Sequence, residues 1–201
     1  MSELLLYFFA AAVVQNLVLA TGFGTSMILR IVRHPRDIVW FGGSMTYFSL
    51  LTALSGYLLD WLISTKTLTG LDELLHFLRP LLLIVVVSLW YLLTVLVFKN
   101  AFPKIYHRME LWLPMSAFNN VVVGVALIAN HQFSVSLLGA VGMSIGASVG
   151  FTLLSLLVAE AREQLDHTDL PHAFRGLPVL LLWLGLIALA VMGFSSSVSF
   201  I

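Results

Sequence analysis

Long runs of apolar residues, each close to the length of a bilayer crossing, constrain this chain more than any other feature. A hydrocarbon core of roughly 30 Å takes about 20 apolar residues per helical crossing. Residues 4–21, 38–63, 80–98, 111–129, 134–159 and 177–194 each approach that length. A closed barrel would show shorter segments that alternate apolar and polar. The expected fold is therefore all-α and integral to the membrane, with six transmembrane helices. The mean hydropathy of +1.00 and a charged fraction of 10% agree with a chain whose solvent is lipid.

The connections at 30–37, 64–79, 99–110, 130–133 and 160–176 are too short for a second domain, so residues 1–201 read as a single membrane domain. Met1-Ser2-Glu3 lacks the basic n-region of a secretory signal, and 4–21 is expected to be the first membrane helix. Lys plus Arg and Asp plus Glu number 10 each, so no net basic field recruits nucleic acid. The absence of cysteine excludes disulfides, thiolate metal sites and thiol nucleophiles from this chain.

Basic residues tend to stay on the cytoplasmic side. Arg30, Arg33, Arg36, Lys99, Lys104, Arg108, Arg162 and Arg175 fall on the first, third and fifth connections, against Lys66 and Arg79 on the opposite side. This bias predicts that both termini face away from the cytoplasm, in the periplasm of a Gram-negative host. Two sets of three crossings necessarily have opposite orientation, the arrangement of inverted-repeat folds. Repeat one would cover about 1–98 and repeat two about 99–201. Gln15-Asn16 followed by Gly22-Phe23-Gly24-Thr25 in the first half has a weak echo in Asn119-Asn120 and Gly124 in the second.

An unpaired amide in hydrocarbon costs several kcal/mol, so Asn16, Asn119 and Asn120 need partners. Two readings stay open. The amides cap interrupted helices at mid-membrane, with Gly22, Gly24 and Thr25 at the break, or they make ordinary interhelical hydrogen bonds. Gly139, Gly142, Gly146 and Gly150 form a small-residue face on the fifth run, where another helix can approach closely, from within the chain or from a partner protein. The central thirds of the runs carry no ionisable residue, and Asp60 and Arg79 are expected near interfaces. Asp166, His167, Asp169 and His172 share a loop without spacing that fixes metal geometry, and phosphate loops and nucleophile elbows are missing. No catalytic residue is assigned.

Several stretches resemble the Rnf/Nqr membrane-subunit family, in its RnfA/RsxA/NqrE branch. They are Gln15-Asn16 with Gly22 to Met27, Phe102-Pro103-Lys104-Ile105-Tyr106, and Leu113-Pro114 through Asn119-Asn120 to Gly124. The most specific is Ala161-Arg162-Glu163 followed by Asp169-Leu170-Pro171 and Phe174-Arg175-Gly176, closed by Met192-Gly193-Phe194-Ser195.

The resemblance implies two inverted three-helix repeats, a partner that is a homologous membrane subunit of opposite topology, and other subunits of a bacterial inner-membrane complex. That complex couples electron transfer to ion movement. Each such subunit of the family supplies two cysteines to a [2Fe-2S] cluster shared with its partner. In this sequence those positions fall at Gly24 and Asn120, and an acid typical of the third helix is replaced near Val95. The expected function is thus an RnfA/NqrE-like subunit without its own iron–sulfur ligands, and not an enzyme alone. Arg162 and Arg175 would face cytoplasmic partners or lipid head groups, or serve only as a topology signal. The alternative from another class is an inverted-repeat transporter of a small molecule or ion.

Overall fold

The structure is a computed structural model that describes residues 2–14, 16–64, 72–131, 136–169 and 171–197. Gln15, Lys66 and Leu170 lie outside the described residues, as do the side chains of Asp60, His76, His131, Phe194 and Ser195.

The described residues form helices and contain no strand. The first apolar run is interrupted. α1 (Ser2–Phe9) passes into a π-helical turn over Ala10–Val14, and the chain then restarts as α2 (Leu17–Thr21) and α3 (Thr25–Ile31). A 3-10 turn at Pro35–Asp37 leads into α4 (Ile38–Ser64), and α5 follows over Asp72–Ala101. Three shorter helices come next: α6 (Pro103–Met109), α7 (Trp112–Ala117) and α8 (Asn120–His131). α9 (Leu137–Asp166) and α10 (Leu177–Ser197) complete the chain.

Among the described residues four stretches are long and apolar enough to cross a bilayer: Pro35–Leu59, Phe77–Ala101, Trp112–Ala129 and Leu137–Asp166. The third is α7 and α8 taken together across their break. The first and last apolar helices, Ser2–Val13 and Leu177–Gly193, are shorter.

Two boundaries differ from the sequence expectation. Pro80 lies inside α5 rather than at its start. Arg79 beside it is buried within the protein at 5% exposure. Likewise α9 continues to Asp166, so the first part of the fifth connection, 160–166, is helical. The last two turns of α9 carry Glu160, Arg162 and Asp166, which suit a helix extending beyond the hydrocarbon, and Arg162 lies 3.7 Å from Asp166 one turn on.

The core forms where α4, α8 and α9 meet. Phe41, Met45 and Phe48 of α4 pack with Val121, Val122 and Val125 of α8 and with Phe151 of α9, all nearly or fully buried. Phe41 and Phe151 stack with ring centroids 5.6 Å apart. α5 and α10 lie peripherally and turn Leu81, Leu89, Leu96, Leu186 and Leu189 outward. In water such rows would be an aggregation hazard, whereas in hydrocarbon they are the solvated surface.

The small-residue face of α9 meets α1. A Cβ built at Gly142 would collide with the carbonyl oxygen of Leu4, one at Gly146 with that of Phe8, and one at Gly150 with that of Ala12. Both series advance by four residues in the same direction, so the two helices run parallel with backbones in close contact. At their common N-terminal end the Ser136 hydroxyl donates to the Glu3 carboxylate at 2.6 Å, while also accepting from the Gly139 N–H as the α9 N-cap.

Candidate functional site: paired helix breaks

Each half of the chain contains an asparagine that starts a helix inside the protein, and both use the same bonds. The side-chain Oδ1 of Asn16 accepts from the Val18 N–H at 3.0 Å, and that of Asn119 accepts from the Val121 N–H, also at 3.0 Å. Both amides are at least 95% buried. A free helix N-terminus exposes unpaired N–H groups, and an asparagine cap satisfies one of them without water. Asn16 also donates from Nδ2 to the Ala12 carbonyl at 3.1 Å. That carbonyl belongs to the π-turn, where the regular helical ladder is interrupted.

The second break in the first half is a turn of two left-handed glycines. Gly22 ends α2 with φ of +74°, and Gly24 opens α3 with φ of +79°, values that side chains rarely tolerate. The Thr25 hydroxyl ties the turn by donating to the Gly22 carbonyl at 2.8 Å.

This turn is pressed against the break of the second half. A Cβ at Gly24 would stand 2.9 Å from the Phe151 ring, 3.0 Å from Val121 and 3.1 Å from Asn119 Oδ1. A Cβ at Gly124 would come within 2.7 Å of the Phe23 ring. The structure thus brings Gly24, Asn119, Phe23 and Gly124 together. Gly22 and Thr25 hold the turn from its exposed side, and Thr25 is half-buried.

Asn120 behaves differently from its neighbour. It is the first residue of α8, is exposed, and lines a cavity of about 320 Å³ with Phe23, Phe118 and Val87. The sequence groups the two amides, but only Asn119 caps. Asn119 Nδ2 has no hydrogen-bond partner among the described residues. A buried orphan donor costs about 1–3 kcal/mol.

Sequence reasoning missed Phe23 and Phe151, the rings that seal the two breaks. Gly150 stands on the small-residue face read from the sequence, but that its absent side chain also leaves room for the Asn16 amide was not evident there. The spacing of Gly124 four residues after Asn120 was the available signal, since it clears one helix face for a ring.

Asp166, His167 and Asp169 line a polar cavity of about 290 Å³ with Arg162 and Arg175, at one end of α9 and α10. Among the described residues no three His, Asp or Glu side chains converge as a metal site would require.

A family profile described as "Rnf-Nqr subunit, membrane protein" matches residues 4–198. The chain belongs to the Rnf-Nqr family. Its relatives include a Serratia proteamaculans protein named as the A-type component of an ion-translocating oxidoreductase complex, 32% identical over 200 residues and 100% of both chains. Proteins of the same name from Proteus mirabilis, at 32% identity, and Pasteurella multocida, at 31%, match over 98% of this chain. They are covered to 99% and 100% respectively. The paired breaks therefore sit in a chain related from end to end to membrane proteins of that family.

Proposed function

We propose that this chain is the A-type membrane component of an ion-translocating, electron-transporting oxidoreductase complex, and that it contributes scaffold rather than iron ligands. The observation that carries the reading is the relationship to proteins named as that component, over 100% of both chains at 32% identity. The chain is not an enzyme alone; its role is exercised in the assembled complex.

In this reading the protein crosses the bacterial inner membrane six times as two inverted repeats, about 1–98 and 99–201. Matching asparagine caps in the two halves support the repeat. So does the parallel course of α1 and α9, because the first and fifth crossings of such a chain share a direction. The placement of eight of the 10 Lys and Arg residues on alternate connections supports periplasmic termini. The partner is a homologous membrane subunit of opposite topology, and the exposed face around Asn120 and Phe118 is the surface we assign to it.

A [2Fe-2S] cluster shared with such a partner does not fit the residues present. Gly24 has no side chain, its backbone is left-handed, and a Cβ there would meet Phe151 at 2.9 Å. Asn120 offers a neutral amide, a poor iron ligand beside thiolate. The sequence has no cysteine at any other position.

Purification through a tag on this chain, in mild detergent from its own host, tests the proposal. Co-isolation of a second, homologous membrane subunit with flavin-carrying and ferredoxin-like partners is expected. Isolation of the chain alone, with solute movement by the purified chain in liposomes, would instead establish the transporter.

A further inference from the structure

We infer that the groove between α4, α5 and α6 holds one acyl chain of an anionic phospholipid, with its headgroup at Lys104 and Arg108. The groove has a volume of about 510 Å³ and an almost wholly apolar wall that includes Val39, Trp40, Phe48, Phe98 and Ile105. It runs along α4 from Val39 to Phe48, nine residues of rise at 1.5 Å, or about 14 Å. That is the depth of one leaflet of a core about 30 Å thick. At the deep end the Tyr47 hydroxyl lies 3.3 Å from Thr94 Oγ1, which itself donates to the Trp90 carbonyl, so the floor is closed by paired polar groups.

The mouth lies where α4 begins, α5 ends and α6 crosses, and that end is basic. α6 turns Ile105 and Met109 to the groove. Lys104 and Arg108 each precede one of these and occupy the adjoining face, exposed. The Arg108 guanidinium lies 5.0 Å above the Trp40 ring, which is itself part of the wall, so a cation is fixed at the rim. Arg33, Arg36 and Lys99 are also exposed on the segments around this end. The opposing acids there are Asp37 and Glu110, and Glu110 is 3.7 Å from His107.

An apolar wall, leaflet depth and excess positive charge at one end together complement a single amphiphile with a negative head. A transmembrane helix of a partner would need a groove that continues through both leaflets. The inference rests on the bilayer embedding and not on the redox role of the complex.

Gly43 gives a direct test. It lines the groove, and a Cβ built there meets nothing within 4 Å, so a large side chain can occupy the groove without displacing the protein. The full chain, with the proteins that co-purify, is reconstituted into phosphatidylcholine vesicles. These contain graded fractions of chain-brominated phosphatidylglycerol or, in parallel, chain-brominated phosphatidylcholine. Quenching of Trp40 is taken as the difference between the native protein and Trp40→Phe.

Half-quenching is expected at an anionic-lipid fraction lower by about 25-fold, the product of two basic contacts. Lys104→Gln and Arg108→Gln should each reduce that preference about fivefold, the equivalent of one basic contact near a membrane surface. Gly43→Phe should lower quenching by both lipids while the protein still assembles. Equal quenching by the two lipids overturns the inference, as does a preference that survives in the Lys104→Gln/Arg108→Gln double variant. Absence of any Trp40 quenching also overturns it, because another protein then covers the groove. None of these readings depends on electron transfer, so failure here is distinct from failure of the proposed place in the complex.

Discussion

Replacing Gly150 with alanine puts a methyl group 2.6 Å from the Ala12 carbonyl oxygen and 2.7 Å from Asn16 Nδ2. Ordinary contact begins near 3.4 Å, so α1 and α9 must separate locally by about 0.8 Å or the Asn16 amide must swing away. Overpacking of this kind costs about 1–3 kcal/mol. Displacing Asn16 weakens its bond to the Ala12 carbonyl and its cap on the Val18 N–H, at about 1 kcal/mol for a buried membrane hydrogen bond. The sum is about 2–4 kcal/mol, measurable by reversible unfolding in mixed micelles. Gly43→Ala is the control, since its Cβ meets nothing within 4 Å, and should stay within about 0.5 kcal/mol of native. A double-mutant cycle of Gly150→Ala with Asn16→Ala should show coupling of about 1 kcal/mol or more, because the two residues touch. If Gly150→Ala proves no more destabilising than Gly43→Ala, the close parallel packing of α1 on α9 is wrong.

Gly24→Ala should cost about 2–4 kcal/mol, combining left-handed strain with the clash on Phe151, and Phe151→Ala in the same chain should relieve the steric part only. The adjacent amides should separate in the same assay: Asn119→Ser, which keeps an oxygen for the Val121 N–H and drops the unpaired Nδ2 donor, should be about 1 kcal/mol more stable than Asn119→Ala, whereas exposed Asn120→Ala stays within about 0.5 kcal/mol of native. A Cβ at Gly42 would collide with the Thr152 side chain, so Gly42→Ala is expected to destabilise by about 1–3 kcal/mol and Gly42→Ala/Thr152→Ala to return most of it.

The membrane class and the approximate limits of the apolar runs were legible because hydrocarbon thickness imposes a minimum length that composition must meet. At Asn16, Gly22, Gly24 and Asn119 the sequence marked that something was needed, because amides and paired glycines are too costly inside a continuous apolar helix to stand there without a use, but it left open whether that was an interrupted helix or an interhelical hydrogen bond. The glycine series of the fifth run announced close packing, but not that the backbone of α1 fills it, since partner choice depends on contacts more than 130 residues apart. Identical neighbours such as Asn119 and Asn120 could not be distinguished, because their roles follow from which residue falls at the cap and which one step into the helix. Pro80 marked a boundary in the sequence, yet α5 starts eight residues earlier. In lipid, unpaired backbone is costly enough to keep a helix intact around a proline. The groove beside Trp40 was invisible because four helices shape its wall.

Low-temperature EPR and iron content of the isolated complex, compared between native protein and Asn120→Ala, address the scaffold role most directly. Identical spectra and an unchanged iron-to-protein ratio are predicted, whether iron is carried by other proteins of the complex or not. A signal that shifts or disappears with the Asn120 amide would mean that this chain holds the metal, and the scaffold role would be wrong.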